Sequence, residues 1–194
     1  FQLIANADVF VFYDIADFTK RDWRSRNKII GPGGFQWMTI PVGSNRGKSI
    51  HEVQLPEGQW RSNHLETVRR HYAKAPYIQD VLDIISPVYN DLSINTLSDF
   101  NQSLIRRFCA YLGIQTSFRN ASEFNPTGDR VEKLISICNQ LGATTYLSGP
   151  AAKDYISNEF EGTNISLKWM EYGPFEPYDQ SVEPFSDYVS IVDT

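Results

Sequence analysis

Cys109-Ala110-Tyr111-Leu112-Gly113-Ile114-Gln115-Thr116 and Cys138-Asn139-Gln140-Leu141-Gly142-Ala143-Thr144-Thr145 repeat one pattern 29 residues apart. In each, an amphipathic stretch ends at a glycine and a short apolar run follows. Glycine stops a helix cheaply because it takes the left-handed cap conformation without a Cβ clash. Helix, glycine stop and strand, twice over, is the signature of right-handed crossovers that build a parallel sheet. The expected class is therefore α/β, a mostly parallel sheet with flanking helices. The same pattern makes Cys109 and Cys138 small apolar core residues, reduced rather than bridged, which favours the cytoplasm.

Upstream, Val9 to Tyr13 is an apolar run without alternation, as expected of a strand covered on both faces. FQLIANA before it reads as a helix. Gly31-Pro32-Gly33-Gly34 is a strong turn signal between apolar segments, without the spacing of a phosphate-binding loop. A strand over 35–42, a polar loop over 43–48 and a short alternating strand over 51–55 give a small antiparallel portion near residues 35–55. Helices are expected from a Ser62 cap to Lys74, from Pro76 to Tyr89, from Ser98 to Leu112, and from Thr127 or Asp129 to Leu141. A strand over 165–170 follows. The tail from Glu171 is acidic, aromatic and proline-rich, and Tyr188 to Val192 is expected to pair at a sheet edge.

The net charge of −5 is unevenly spread. Residues 154–194 hold nine acids against the single base Lys168, so the first 153 residues carry +3. A general nucleic-acid binder is usually basic overall, so nucleic acid is not an expected partner. Hydrophobic residues make up 41%, and no apolar run approaches the ~20 residues that cross a bilayer. A chain of 194 residues buries enough surface to fold without disulfides or metal.

Chemistry concentrates between Phe10 and Asn27. Asp14 and Asp17 follow the first strand, at the edge where ligands bind in open α/β sheets. Lys20, Arg21, Arg24 and Arg26 come next, with Trp23 among them and Asn27 closing the run. Arginine suits phosphate because its planar fork bonds two oxygens at once. The cations are expected to hold phosphates while Trp23 stacks on a base or sugar; the bland reading is a solvated charged face. Asp14, Asp17 and His64 are the candidate acid–base groups, His64 alternatively being a histidine packed on a helix flank. Ser148 and Gly149, opening a short helix that carries Tyr155, form a candidate anion site. His64 and His71 are spaced too widely for a zinc pair, so no metal site is assigned. Asp14 and Asp17 could hold Mg²⁺ through water if a nucleotide is bound; otherwise the cofactor is unassigned.

The order Asp14-x2-Asp17-Phe18-x-Lys20-Arg21-x-Trp23-x2-Arg26-Asn27, after Ala7-Asp8-Val9-Phe10-Val11-Phe12, resembles the WbqC-like family of bacterial proteins. The resemblance continues through Trp37, Thr39, Pro41 and Val42, then Trp60, His64 and Tyr72. It ends at Tyr146-Leu147-Ser148-Gly149-Pro150 with Asp154 and Tyr155. Such nearly end-to-end similarity implies one domain over 1–194, lacking the family's first strand and loop and its last apolar residues. It also implies a place in O-antigen or other surface-polysaccharide biosynthesis. The expected function is transfer of an acyl or aminoacyl group to a nucleotide- or lipid-carrier-linked amino sugar. Adenylate-forming or nucleotidyl-transfer chemistry on an adenine nucleotide is one alternative. A non-catalytic sugar-binding or scaffold protein is the other, favoured if Trp37, Trp60 and Trp169 share an exposed surface.

Overall fold

The computed structural model describes residues 1–31, 33–180, 185–186 and 188–193. In chain order the elements are α1 (Gln2–Ala5), β1 (Val9–Phe12), β2 (Arg26–Gly31), β3 (Gly34–Thr39), α2 (Trp60–His71), α3 (Ile78–Asn90), α4 (Leu97–Tyr111), β4 (Ser117–Asn120), α5 (Arg130–Gln140), β5 (Thr145–Ser148) and β6 (Ser166–Trp169). This is a mixed α/β chain with two parallel strand pairs and one antiparallel pair. It sorts into two compact units, each of which holds together by its own contacts.

The first unit comprises Phe1–Ile15 and Gly113–Phe175. Here β1 runs parallel to β4, with Val9 opposite Ser117 and Phe12 opposite Asn120. Phenylalanines on both strands explain the pairing: the Phe12 and Phe118 rings stack at 5.5 Å, and Phe10 meets Phe118 edge-on at 6.2 Å. Such cross-strand aromatic pairs are a main source of sheet stability. The second parallel pair joins β5 to β6, Thr145 opposite Ser166. The repeat in the sequence suggests β4 and β5 as neighbours, yet the ladders run β1–β4 and β5–β6. Asp129 starts α5 as expected: its carboxylate accepts the Val131 and Glu132 N–H groups, while Glu132 reaches back to the Asp129 N–H. Val131, Cys138, Ala152, Ile156, Phe160 and Ile165 form the core beneath.

Ala16–Leu112 and Glu176–Thr194 make the second unit. Its hairpin pairs β2 with β3, Arg26 opposite Thr39 and Gly31 opposite Gly34. Gly34 takes a φ of +100°, which an L side chain would resist. Helix α2 packs on α3 and α3 on α4, around Val68, Ile85, Val88, Leu97 and Phe100. Thr96 caps α4 by accepting the Asp99 N–H. The two repeated cysteines are both buried free thiols, but α4 belongs to this unit and α5 to the other, so the repeat does not place them in one core.

Four local expectations give way to side-chain chemistry. The antiparallel portion lies over 26–39 rather than 35–55. Residues Ile50–Glu52 form a 3-10 turn in place of the start of the expected strand, because Glu52 accepts both the N–H and the hydroxyl of Ser49. Helix α2 starts at Trp60 and stops at His71; Ser62 is inside it, donating to the Gln59 carbonyl instead of capping. In the tail, Ser190 N–H reaches the Lys28 carbonyl at 2.7 Å, but a 3-10 turn over Ile191–Asp193 follows instead of an edge strand. Part of that expected strand's approach, 181–184 and 187, lies outside the described residues.

Candidate functional site

The unit boundary between Ile15 and Ala16 cuts through the stretch richest in functional side chains. Asp14 belongs to the first unit with Ser148, Gly149 and Tyr155. Asp17, Lys20, Arg21, Trp23, Arg24, Arg26, Asn27 and His64 belong to the second.

In the second unit Lys20, Arg21, Ser25 and Arg26 line a cleft of about 220 Å³ closed by Thr39, Ile40, Pro41, Val42 and Gly43. The backbone builds it by folding the chain between Phe18 and β2 back on itself. Phe18 is anchored by its N–H on the Lys48 carbonyl, and Ser25 accepts the Ile40 N–H at 2.8 Å. Arg21, one of the lining residues, has φ +60°, a conformation uncommon for a residue with a side chain. Strain of this kind gathers at ligand sites. Neither Lys20 nor Arg21 has a hydrogen-bonded or ionic partner among the described residues, so both charges face solvent uncompensated.

Arg24 is placed differently. It pairs with Asp22 and donates to Thr19 at 2.8 Å, and Thr19 in turn donates to Asp22. Burial opposes the Asp22 carboxylate, but the Thr19 hydroxyl, the Arg24 guanidinium and nearby backbone N–H groups outweigh it and hold its pKa below the usual value. Arg24 therefore clasps the turn that presents Arg21 and does not line the cleft. Arg26 lies 4.0 Å over the Trp37 ring, with Lys28 at 5.4 Å, and its buried Nε has no hydrogen-bond partner among the described residues. Trp23, 55% exposed, leans on Trp37 with ring centroids 5.1 Å apart. The Trp23–Trp37 pair, with Arg26 and Lys28 over Trp37, can stack a base or sugar while phosphates sit on the guanidinium and ammonium groups. Asn27 accepts the Lys28 N–H and stays outside the cleft. Exposed Asp17 bridges by backbone to Ser49.

His64 has both ring nitrogens engaged. Nε2 lies 3.1 Å from the Thr39 carbonyl and Nδ1 3.4 Å from the Tyr89 hydroxyl. A neutral ring donating from Nε2 and accepting at Nδ1 satisfies both contacts. Burial lowers its pKa, against the Thr39 hydrogen bond. In this setting His64 fastens α2 to the end of β3, on the wall of the cleft.

Within the first unit, Asp14 is 5% exposed just past β1. Its two oxygens accept the Ser122 N–H at 3.1 Å and the Ser122 hydroxyl at 2.9 Å. Ser148 ends β5, buried beside the Tyr146 hydroxyl, and Gly149 precedes a short 3-10 turn over Pro150–Asp154. A Cβ on Gly149 would lie 3.4 Å from the Tyr172 hydroxyl. Tyr155 packs on the core cluster, with the Arg130 guanidinium 3.3 Å over its ring. No group of three His, Cys, Asp or Glu side chains able to hold a metal occurs among the described residues. Of the tryptophans whose shared exposure would mark a sugar-binding surface, Trp60 is buried.

Sequence reasoning missed Ser25 and the way the β2–β3 hairpin sets Thr39, Pro41 and Val42, marked there only by the family resemblance, against the basic residues. It also missed Arg130, whose signal is its place one residue after a helix cap. No helix among the described residues is long and apolar enough to cross a membrane.

The model of the WbqC-like protein family matches residues 1–194. Rv1507c, an uncharacterized protein of Mycobacterium tuberculosis strain H37Rv, is 34% identical over 197 residues, covering 100% of this chain and 85% of its own. No solved structure matches the chain.

Proposed function

The chain belongs to the WbqC-like protein family, and from that premise we propose that it is an enzyme of bacterial surface-polysaccharide biosynthesis that transfers an acyl or aminoacyl group to a nucleotide- or carrier-linked amino sugar. The observation that carries the reading is the cleft of Lys20, Arg21 and Arg26 with the Trp23–Trp37 pair beside it. Two free cations and a third stacked on an indole suit the linking phosphates of an activated sugar. The indoles offer the ring or base a face, the usual way in which proteins grip flat apolar surfaces with polar edges. Thr39, which lines the cleft, supplies a hydroxyl for the sugar.

The test is calorimetry and thermal unfolding of the full chain with nucleotide-linked amino sugars, comparing wild type with Lys20→Ala/Arg21→Ala. A ligand at 100 times its Kd raises stability by about 2.7 kcal/mol. Binding by wild type that the double variant loses, followed by amide product when acyl donors are added, supports the reading. Binding without product from any donor turns it into a sugar-binding partner of glycan assembly. No binding of any phosphorylated sugar, free or lipid-linked, refutes it.

A second reading, adenylate formation or nucleotidyl transfer, is favoured by the parallel pairs of the first unit, whose carboxyl ends carry Asp14, Ser148 and Tyr155. ATP–pyrophosphate exchange in the presence of candidate acids tests it; absence of exchange with every acid counts against it.

A further inference from the structure

The first unit holds a cluster built around Arg130, a residue that neither reading uses. Arg130 opens α5, exposed, immediately after the Asp129 cap. Its guanidinium sits 3.3 Å over the Tyr155 ring, and among the described residues it forms no ion pair with any carboxylate. Stacking covers one face of the guanidinium but leaves the N–H edge free to bond, since the donors lie in the plane of the group. Tyr13, one residue beyond β1, lies within electrostatic reach of Arg130 and Tyr155. Tyr146 on β5 lies within electrostatic reach of Tyr155 and Tyr13. The rings of Tyr146 and Tyr155 pack on the core, with Tyr146 stacked on Phe160 at 5.4 Å. Among the described residues the Tyr13 and Tyr155 hydroxyls make no hydrogen bond inside the unit.

We propose that Arg130, Tyr13 and Tyr155 form a receptor for a compact oxyanion, a phosphate or a carboxylate, at the carboxyl ends of the first unit's parallel strands. One fixed positive charge with an in-plane fork and two phenolic donors matches an oxyanion's charge and its several acceptor sites. The location follows the general rule that open α/β sheets bind ligands beyond the carboxyl ends of their strands. Tyr155 has two tasks: its ring orients the guanidinium, and its hydroxyl donates. Tyr13 supplies a second donor, which distinguishes the cluster from an arginine merely resting on an aromatic ring. The proposal depends on neither functional reading, since it requires only an anion.

Isothermal titration with inorganic phosphate, pyrophosphate, AMP and acetate as separate probes tests it and separates phosphate from carboxylate. At least one probe is expected to bind wild type, with Arg130→Gln weakening it by about tenfold or more. Tyr13→Phe, which keeps the ring, is expected to weaken it less, and Arg130→Lys to recover only part. Lys20→Ala/Arg21→Ala, in the other unit, should leave that affinity unchanged while abolishing any sugar-phosphate binding. The proposal is overturned if no probe binds, if Arg130→Gln binds like wild type, or if the affinity follows Lys20 and Arg21. Should Arg130→Gln fail to fold, Arg130→Lys and Tyr13→Phe carry the same comparison.

Discussion

Asp14→Ala is the change with the clearest structural magnitude. The carboxylate is almost wholly buried and accepts the N–H and the hydroxyl of Ser122, tying the turn after β4 to the end of β1. Hydrogen bonds to a charged group contribute about 1.5–3 kcal/mol each, and removing the acceptor leaves two donors without it. At the lower figure, the pair sums to a loss of about 3 kcal/mol, or a fall in Tm of roughly 6–12 °C for a chain of this size. Urea titration followed by tryptophan fluorescence, together with thermal melts, measures it. Ser122→Ala removes one donor and should cost less, and the double variant should cost less than the sum of the singles by about 1 kcal/mol. If Asp14→Ala stays within about 1 kcal/mol of wild type, the tether is not what holds these strand ends. A stable but inactive Asp14→Ala would then make the carboxylate a participant in chemistry.

Three further outcomes follow from named contacts. His64 is half-buried with a pKa lowered by desolvation, so the unfolded chain takes up its proton first and stability should fall as pH drops below about 6.5. The slope is at most about 1.4 kcal/mol per pH unit, and pH-dependent melts of His64→Asn should lose that share of it. Gly31→Ala would put a Cβ 2.8 Å from the His71 ring. A cost of about 1–3 kcal/mol in chemical denaturation is expected, largely relieved when His71→Ala is added. Burial pushes the Cys138 thiol up to about 11 and also raises Cys109; both should resist a thiol reagent at neutral pH until the protein is denatured, which a colorimetric thiol assay reads directly.

What the sequence made legible was mostly local. Asp129 followed by Glu132 announces a capped helix, and Gly31-Pro32-Gly33-Gly34 announces a tight return, because each signal acts within a few residues. The Ser49–Glu52 turn was equally local but was masked by the alternating His51–Leu55 pattern, where a hydrogen bond to one carboxylate outweighed a weak strand preference. The pairing of β1 with β4 was less visible, since nothing near Val9 specifies Ser117 as its partner. The candidate site fared likewise. Four closely spaced cations looked alike in sequence, yet Asp22 neutralises Arg24 while Arg21 and Lys20 form no ion pair among the described residues. His64 looked like an acid–base group, and only the positions of Thr39 and Tyr89 reveal that both its nitrogens are occupied. Arg130 carried no motif at all; its interest comes from Tyr155 and Tyr13, distant in sequence.

The register that sets Val9 against Ser117 has a consequence for synthesis. At elongation rates of about 5–20 residues per second, β1 emerges from the ribosome roughly 5–20 s before its partner strand exists. During that interval Val9-Phe10-Val11-Phe12 is an apolar segment of high strand propensity with no hydrogen-bonding neighbour, the kind of segment that recruits other chains. The intervening Ala16–Leu112, most of the second unit, is synthesised in that interval, but the unit's last segment, Glu176–Thr194, comes only after β4. Yield during expression should therefore depend on what shields those four residues on the nascent chain, and slowing translation should lower it.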